Sequence, residues 1–284
     1  MIEPGGGLGN RILAMASAFA LARDCGIDKI VLYWRNNNEC GCDYEDIFVK
    51  MPKECIVKNI HFEKQTYKEL LTKGKLIRVL KKYIQTRRYH RFVEKAQAVQ
   101  LDTGENRTSR EDYERLKQEV MGLDRDRAYI EAYYRFYGEN DCSEISFNRD
   151  IVDKVENYKK SLGKYDAVHI RRTDNEDAIR KSPTELFYRK IEELVKENPS
   201  KKIYVATDDK AILDDLKSRY PSNVVSEATE AVSRRTAEGI RFAVYEMLIL
   251  AGAEKIYASF GSTFTIIANS IGHNSIETLK TETE

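Results

Sequence analysis

The sequence predicts an α/β fold built on parallel strands. From residue 165 onwards, short apolar runs alternate with segments of helical periodicity, and this alternation is typical of parallel α/β sheets. A glycine-rich loop at residues 5–11 precedes another predicted helix and strand. The 284 residues are enough for one large or two small domains. We predict two domains, residues 1–155 and 156–284.

Composition excludes several classes of protein. Charged residues make up 33% of the chain, but the net charge is only +1, so the overall charge gives no indication of nucleic-acid binding. No run approaches the ~20 apolar residues of a membrane helix, and no secretory signal is visible. The five cysteines form no disulfide framework, so we expect reduced thiols and a cytoplasmic protein. Cys40 and Cys42 alone are a weak zinc motif.

The first half of the chain gives fewer clear elements than the second. Apolar spacing predicts a helix over 12–25 that Gly26 ends, followed by a strand over 29–34. A parallel layer normally needs a strand before such a glycine-rich loop, so either that strand is very short or the chain was trimmed. Further elements are predicted as a basic helix over 63–91, a strand over 129–134 and a helix over 151–162.

The second half alternates regularly between strand and helix. Ser182 is predicted as the N-cap of a helix that has Pro183 in its first turn and runs to 197. The remaining predictions are strands over 165–170, 202–206, 223–225 and 255–259, and helices over 210–220, 241–251 and 263–271.

The glycine-rich loop is the first candidate for ligand binding. Glycines allow a ligand to approach the backbone closely, and the N-terminus of the following helix favours an anion. The third glycine of a dinucleotide fingerprint is replaced by Asn10, so a tight turn without ligand is the alternative. We take Gly7, Gly9, Asn10 and Arg11 as candidate binding residues.

Two arginines follow the strand over 165–170. His169 and Arg171 point to the same side of an extended chain because side chains alternate. Arg171 and Arg172 at a strand end would form a good diphosphate clamp, since arginine makes bidentate bonds to phosphate. The alternative is a solvated ion-pair cluster with Asp174 and Glu176.

Polar residues end two further strands. A carboxylate at Asp208 or Asp209 can accept two N–H bonds from a guanine edge, or can cap the next helix. Ser262 and Thr263 can offer hydroxyl and backbone N–H groups to a phosphate at a helix N-terminus, or can cap that helix. In an open parallel sheet, ligands bind at the carboxyl ends of strands, so these positions belong to one predicted site.

These motifs resemble the fucosyltransferase superfamily, which includes α1,6-fucosyltransferases, nodulation fucosyltransferases and protein O-fucosyltransferases. The resemblance rests on HIRRTD at 169–174, IYVATDD at 203–209 and ASFGSTFTIIANSIG at 258–272. It includes the helix that holds Arg241 and Glu246 and, more loosely, GGLGNR at 6–11. It covers most of residues 165–272 in order, whereas residues 36–160 resemble no family.

The resemblance implies a GT-B fold, with two Rossmann-like domains that face a cleft. It implies inverting, metal-independent transfer of fucose from GDP-fucose, with no cofactor beyond this donor. Carried over, Arg171 would hold the β-phosphate, and His169 and Asp209 would contact the guanine and its ribose region. Ser262 and Thr263 would complete the phosphate site. An arginine and a helix N-terminus can balance the departing diphosphate in place of a metal.

The catalytic base departs from the family pattern. In the α1,6 enzymes a proposed catalytic glutamate follows the arginine pair, and the corresponding position here lies close to Ile179. Asp177 and Glu176 lie nearby and are the carboxylates that could substitute, with Asp177 favoured. Together with Arg171, they form the predicted catalytic set.

We therefore expect a glycosyltransferase whose partners are a nucleotide-sugar and a glycan acceptor, not nucleic acid. Transfer from another nucleotide-sugar, sugar-nucleotide binding without turnover, and a dinucleotide oxidoreductase are the alternatives. Residues 1–155 would form the acceptor side and 156–284 the donor side. Basic and apolar residues interleave over 70–92. This stretch is either a helix packed on its own domain or a contact with the inner face of a membrane, as for a lipid-linked acceptor.

Overall fold

The computed structural model describes residues 1–49, 54–60, 97–100, 109–123, 128–173, 175–228 and 233–281. The described chain divides into two compact units. The first comprises Met1–Asn148 with Arg234–Ile240, and the second comprises Arg149–Ser233 with Arg241–Glu284. The boundary expected between residues 155 and 156 lies inside a helix of the second unit, Arg149–Leu162.

The first unit contains a five-stranded sheet of order β3-β2-β1-β5-β4, in which all pairs are parallel. Its strands are β1 (Ile2–Pro4), β2 (Lys29–Arg35), β3 (Glu54–Ile60), β4 (Gln97–Gln100) and β5 (Ala128–Ala132). Its helices include α1 (Leu8–Asp24), a 3₁₀ turn (Tyr44–Asp46) and α2 (Arg110–Met121). The strand required before the glycine-rich loop is the three-residue β1, which lies in the middle of the sheet.

Helix α1 begins four residues earlier than its apolar pattern predicts. It starts at Leu8 because Gly7, in an extended conformation, serves as its N-cap, although it has no side chain to cap the free N–H groups. The helix ends at Asp24, and Gly26 adopts the positive φ of +64° that stops it, as predicted. Its central residues from Ile12 to Phe19 are all buried, so packing rather than amphipathic patterning stabilises it.

The second unit contains a parallel sheet of order β10-β9-β6-β7-β8. Its strands are β6 (Tyr165–Ile170), β7 (Lys202–Thr207), β8 (Val224–Val225), β9 (Lys255–Ala258) and β10 (Ser275–Thr278). Its helices are α3 (Arg149–Leu162), α4 (Glu176–Lys181), α5 (Thr184–Glu197), α6 (Lys210–Arg219), α7 (Ala237–Ala251) and α8 (Thr263–Gly272). The first residues of α7, up to Ile240, belong to the first unit. Four of the five strands match the sequence predictions with small shifts at their ends, whereas β10 was not predicted.

The central strand β6 is buried along its whole length. One face of the sheet carries Val168, Ile170, Ile203 and Val205, which pack against Phe187 and Ile191 of α5 and Leu213 and Leu216 of α6. Burial of each such side chain contributes roughly 1.5–3 kcal/mol. His169 alternates to the other face, in the same row as Ala206 and Ala258. This apolar cluster and His169 therefore lie on opposite faces of the sheet.

The predicted N-cap at Ser182 is wrong. Helix α5 begins at Thr184, and Pro183 is its N-cap without a side-chain hydrogen bond. The Ser182 hydroxyl instead accepts a hydrogen bond from the backbone N–H of Phe260 at 2.9 Å. It therefore ties the start of α5 to the loop between β9 and α8.

Two predictions fall outside the described residues, namely the basic helix over 63–91 and its basic, apolar stretch over 70–92. Among the helices that the structure describes, none is long and apolar enough to cross a membrane. The elements β3, β4 and α2 come from the region whose sequence resembles no family.

Candidate functional site

Asp208 organises the loop that follows β6. Its carboxylate accepts the backbone N–H of Arg172 at 2.7 Å and the backbone N–H and hydroxyl of Thr173 at 3.3 Å and 2.7 Å. The Arg171 Nε lies 3.3 Å from the same carboxylate. Asp208 directly follows β7 and these residues directly follow β6, so adjacent strand ends are joined by one side chain.

The two predicted clamp arginines point in different directions. Arg172 donates from its guanidinium to the carbonyls of Arg171 at 2.9 Å and Ser182 at 2.5 Å, and it lies over the Phe187 ring at 5.5 Å. Arg171 keeps 34% of its side chain exposed. Alternation along the strand places Arg171 on the His169 face and Arg172 over the apolar core. Arg171 is therefore accessible to a ligand, and Arg172 braces the loop.

Ser259 joins β9 to β6 at the same edge of the sheet. Its hydroxyl accepts the backbone N–H of Arg171 at 3.0 Å, and its own N–H donates to the His169 carbonyl at 3.0 Å. Ser259 is fully buried. The backbone that presents Arg171 is therefore held from both neighbouring strands.

His169 is a buried, neutral imidazole. Its ring stacks on Phe264 with centroids 5.2 Å apart, and its Nδ1 lies 3.3 Å from the Ser262 hydroxyl. The pKa of His169 is lowered to about 4, mainly by burial and also by the charge of Arg171, against the opposing effect of Asp208. His169 can therefore orient Ser262 by a hydrogen bond without contributing a charge.

Ser262 is the N-cap of α8, as the capping alternative predicted, but its side chain makes no capping hydrogen bond. The preceding Gly261 adopts a positive φ of +67°, which turns the chain sharply between β9 and α8. Thr263 opens the helix and is half-buried. Since the Ser262 hydroxyl turns to His169, it leaves the first N–H groups of the helix to other acceptors.

Asp209 caps α6. One of its carboxylate oxygens accepts the backbone N–H groups of Ala211 at 2.9 Å and Ile212 at 3.2 Å. Asp209 is therefore a capping residue, as the alternative predicted. In the part of the chain that the structure describes, its second carboxylate oxygen is the one left for a ligand.

Glu246 is a functional candidate that was not among the binding residues predicted from the sequence. It lies half-buried on α7, and the Tyr204 hydroxyl donates to its Oε1 at 3.3 Å. The pKa of Glu246 is raised to about 8, mainly by burial and also by the charge of Asp208, against the lowering effect of the hydrogen bond from Tyr204. The sequence signal was present, because Glu246 is the single acidic residue in the apolar stretch 241–251.

Asp177 and Glu176, the candidates for the base, lie in the first turn of the short helix α4 and are exposed. Asp177 pairs with Arg180 at 2.5 Å, and this contact holds the pKa of Asp177 below its ordinary value. The Asn175 side chain caps the helix through the Ala178 N–H at 2.9 Å. Asp174 lies outside the described residues.

Arg11 of the glycine-rich loop is fully buried and bonded within its own unit. Its guanidinium donates to the carbonyls of Gly6 at 2.7 Å and Arg35, to the Asn37 side chain at 2.9 Å, and lies 5.0 Å from the Trp34 ring. Desolvation of this charge is offset by those acceptors. Arg11 thus supports the loop from beneath and does not present its charge to a ligand.

The remaining loop candidates lie closer to the surface. Gly7, Gly9 and Asn10 are half-buried at the start of α1. Gly6 adopts a φ of +75°, which favours glycine, and a Cβ there would lie 2.9 Å from the Asn10 amide nitrogen. The Asn10 side chain is thereby packed against the turn.

Solved structures with a similar fold include fucosyltransferases. NodZ from Bradyrhizobium matches with a TM-score of 0.57 at 14% identity, over 94% of this chain and 91% of that one. POFUT1 in complex with GDP-fucose matches with a TM-score of 0.52 at 11% identity, over 98% and 97%. A variant of Arabidopsis thaliana FUT1 in complex with GDP matches with a TM-score of 0.57 at 13% identity, over 97% and 69%.

The chain has the fucosyltransferase fold. The predicted α/β fold of GT-B class is confirmed. The resemblance to fucosyltransferases that the sequence motifs indicated is confirmed at the level of the fold. The cleft between two domains stays a prediction. No protein-family model matches the sequence, and no curated protein matches it.

Within this fucosyltransferase fold, the ends of β6, β7 and β9 bring together His169, Arg171, Asp208 and Ser262. Asp177 and Glu176 have no described hydrogen bond or ion pair to that group. Among the described residues, no three His, Cys, Asp or Glu side chains are arranged to hold a metal ion. Cys40 and Cys42 are buried with their sulfurs 3.8 Å apart.

Proposed function

We propose that this chain transfers fucose from GDP-fucose to a glycan hydroxyl, with inversion and without a metal ion. The observation that carries the proposal is the placement of Arg171. Its side chain is 34% exposed at the carboxyl edge of a parallel sheet, and its backbone is fixed by Ser259. This edge is where parallel α/β folds bind their ligands.

The diphosphate is assigned to Arg171 and the start of α8. Arg171 can bond two phosphate oxygens at once, and the first N–H groups of α8 supply further donors together with the hydroxyls of Ser262 and Thr263. The exposed side of this group carries a cation and N–H donors, which is the arrangement that a leaving diphosphate requires. Arg172 contributes by holding the loop and not by direct contact.

The guanine edge is assigned to Glu246. Guanine presents two N–H donors that one carboxylate can accept together. The Asp208 oxygens are occupied by the loop after β6, and Asp209 caps α6, so neither is the better candidate. Glu246 has a described bond at one oxygen only, from Tyr204. We assign the second Asp209 oxygen, and more loosely His169, to the ribose region.

The reaction is a single displacement at the anomeric carbon of fucose. The acceptor oxygen forms a bond to that carbon while the bond to the β-phosphate oxygen breaks, and Arg171 stabilises the charge that develops on the departing GDP. A carboxylate takes the acceptor proton, which typically contributes ~10²–10⁴-fold. We keep Asp177 as the proposed base, with Glu176 as the alternate.

Several observations support this proposal beyond the site itself. Solved neighbours include POFUT1 with GDP-fucose and NodZ soaked with GDP-fucose. The glycine-rich loop presents Gly7, Gly9 and Asn10 at a helix N-terminus, where backbone can approach a ligand. Residues 1–155 are proposed to bind the acceptor glycan, with a lipid-linked glycan as one form of it.

One alternative has a specific observation in its favour. Asp177 is paired with Arg180, and the pair weakens it as a base. A chain with no base at all would bind a nucleotide-sugar without turning it over. Release of GDP on addition of an acceptor separates the two functions, because binding alone releases none.

The test is a calorimetric screen of GDP-fucose, GDP-mannose, UDP-sugars and dTDP-sugars, run with and without a strong chelator. We expect GDP-fucose and GDP to bind, and chelator to change neither affinity nor turnover. Preference for a UDP- or dTDP-sugar would contradict the donor assignment. Loss of turnover in chelator that manganese or magnesium restores would contradict metal independence.

A further inference from the structure

The carboxyl edge of the first unit's sheet carries a cluster of polar and aromatic side chains that the donor site does not use. We call it the β5 cluster, and its members come from β1, β2, β5 and the residue just after β5. They are Glu3, Arg35, Tyr129, Glu131 and Tyr133.

Two like charges lie side by side in this cluster. Glu3 and Glu131 are cross-strand partners in the pairing of β1 with β5, an arrangement that is unfavourable unless a cation intervenes. Arg35 supplies that cation, because it pairs with Glu3 and lies 3.7 Å from Glu131. The buried Glu3 also accepts the Tyr129 hydroxyl. Glu131 is thus held by a charge network anchored in the sheet.

The exposed members of the cluster are preorganised. The Tyr133 hydroxyl donates to Glu131 at 3.0 Å. One side of the Tyr133 ring lies so close to Gly5 that a Cβ there would come within 2.4 Å of it, so a larger residue at position 5 would displace the ring. Tyr133 is nevertheless 39% exposed, and it is the one aromatic among the strongly exposed large apolar side chains of the described residues.

These features select the chemistry of a ligand. One arginine against two carboxylates leaves a net negative charge, so the cluster disfavours phosphates and other anions. An exposed ring offers an apolar surface, and the adjacent carboxylate accepts hydrogen bonds from hydroxyl groups. A neutral sugar ring has both an apolar C–H face and a rim of hydroxyls, so it matches this pairing.

We propose that the β5 cluster is a sugar-binding subsite, in which Tyr133 stacks on one sugar ring and Glu131 accepts its hydroxyls. The subsite rests on the proposed function in one respect, that the bound sugar is part of the acceptor glycan. Arg35 and Glu3 are positioning residues that fix Glu131. The subsite also lies beside the glycine-rich loop, because the backbone N–H of Gly5 donates to the Ala132 carbonyl at 2.8 Å.

The experiment is saturation-transfer NMR of the full chain with cellobiose, lactose, mannobiose and N,N′-diacetylchitobiose, with GDP present and absent. At least one disaccharide should receive saturation at its ring C–H protons. Tyr133→Ala should weaken its affinity about tenfold, and Tyr133→Phe should retain most of it because the ring remains. Glu131→Gln, which keeps the size of the side chain, should weaken binding without removing the C–H signal.

Met121→Ala is the matched control, because Met121 is 64% exposed in the same unit and lies outside the cluster. Its sugar binding should equal that of wild type. No transfer to any of the disaccharides, or equal affinity in Tyr133→Ala and wild type, would overturn the subsite. Wild-type GDP affinity is measured in the same samples, and its absence would count against the proposed function and not against the subsite.

Discussion

Asp208 accepts a hydrogen bond from the backbone N–H of Arg172 at 2.7 Å, so the side chain at the end of one strand fixes the backbone at the end of the next. The same carboxylate lies 3.3 Å from the Arg171 Nε. One acidic residue thus holds an arginine that we propose binds the ligand and an arginine that braces the loop, and substitution can separate these two roles.

We predict that Arg171→Ala lowers GDP affinity and leaves thermal stability nearly unchanged. Loss of a charge-assisted contact to the diphosphate costs on the order of 2–5 kcal/mol of binding free energy. Arg172→Ala is the matched comparison, and it should mainly lower the melting temperature because it removes the bonds to Ser182 and the contact with Phe187. Calorimetry with GDP and thermal unfolding measure both effects. Equal GDP affinity for Arg171→Ala and wild type would rule out the clamp.

The lowered pKa of His169 predicts that the folded chain loses stability in mild acid. Its pKa is about 4 in the folded chain and 6.5 when unperturbed, so between these values the unfolded state binds the proton and the folded state does not. Stability should therefore fall as pH decreases from 6.5 to 4, by on the order of 3 kcal/mol. Denaturant unfolding of wild type and His169→Gln at several pH values tests this. A wild-type slope equal to that of the variant would contradict the assignment.

Glu246 predicts that GDP binding strengthens as the pH rises towards 8. The pKa of Glu246 is raised to about 8, so at lower pH its carboxyl is largely protonated and cannot accept both guanine N–H groups. Glu246→Gln should bind GDP roughly tenfold to hundredfold more weakly, from the value of a bidentate contact to a base edge. The variant should also lose this part of the pH dependence. Calorimetry over pH 6–9 checks both points.

If GDP affinity depends on pH in Glu246→Gln as it does in wild type, Glu246 does not make the guanine contact. Glu227→Gln is the control variant. Glu227 accepts the Tyr245 hydroxyl at 2.6 Å and lies outside the proposed site, so this variant should leave GDP affinity unaltered.

The base prediction separates binding from turnover. Asp177→Asn should keep GDP affinity and lose most of its transfer activity, about 10²-fold or more, if Asp177 accepts the acceptor proton. Arg180→Gln should raise the pKa of Asp177 towards its ordinary value, because it removes the ion pair. If Asp177→Asn, Glu176→Gln and the double variant all turn over like wild type, the base lies elsewhere in the chain.

The sequence predicted the second unit well because each buried parallel strand is a short apolar run followed by polar residues. Residues 165–170 appear as β6 without any shift. The division between Arg171 and Arg172 also follows from alternation, although only the contact with Phe187 reveals what Arg172 packs against. The opposite directions of the two arginines were therefore predictable, but the packing of Arg172 was not, and the diphosphate clamp stays a prediction.

Other parts depended on tertiary contacts that periodicity does not encode. Ser182 has the local signature of an N-cap, yet its hydroxyl bonds to Phe260, 78 residues away. Arg11 looks like an anion-binding residue beside glycines, yet Trp34 and the carbonyl of Arg35 bury it. The β5 cluster unites residues from both ends of the first unit, so no local motif could have indicated it.

The opposite faces of the second sheet have a consequence for engineering. Val168 and Ile203 pack towards α5 and α6, whereas His169 and Ala206 lie on the opposite face of the same strands. Substitutions on the first face that spare the contact of Phe187 with Arg172 are expected to change the free energy of unfolding and to leave the proposed donor site unaltered. A library on the α5 and α6 side that spares Phe187 is therefore expected to yield a thermostable scaffold, whereas a second library on the row of His169 and Ala206 is expected to change the specificity of the proposed donor site.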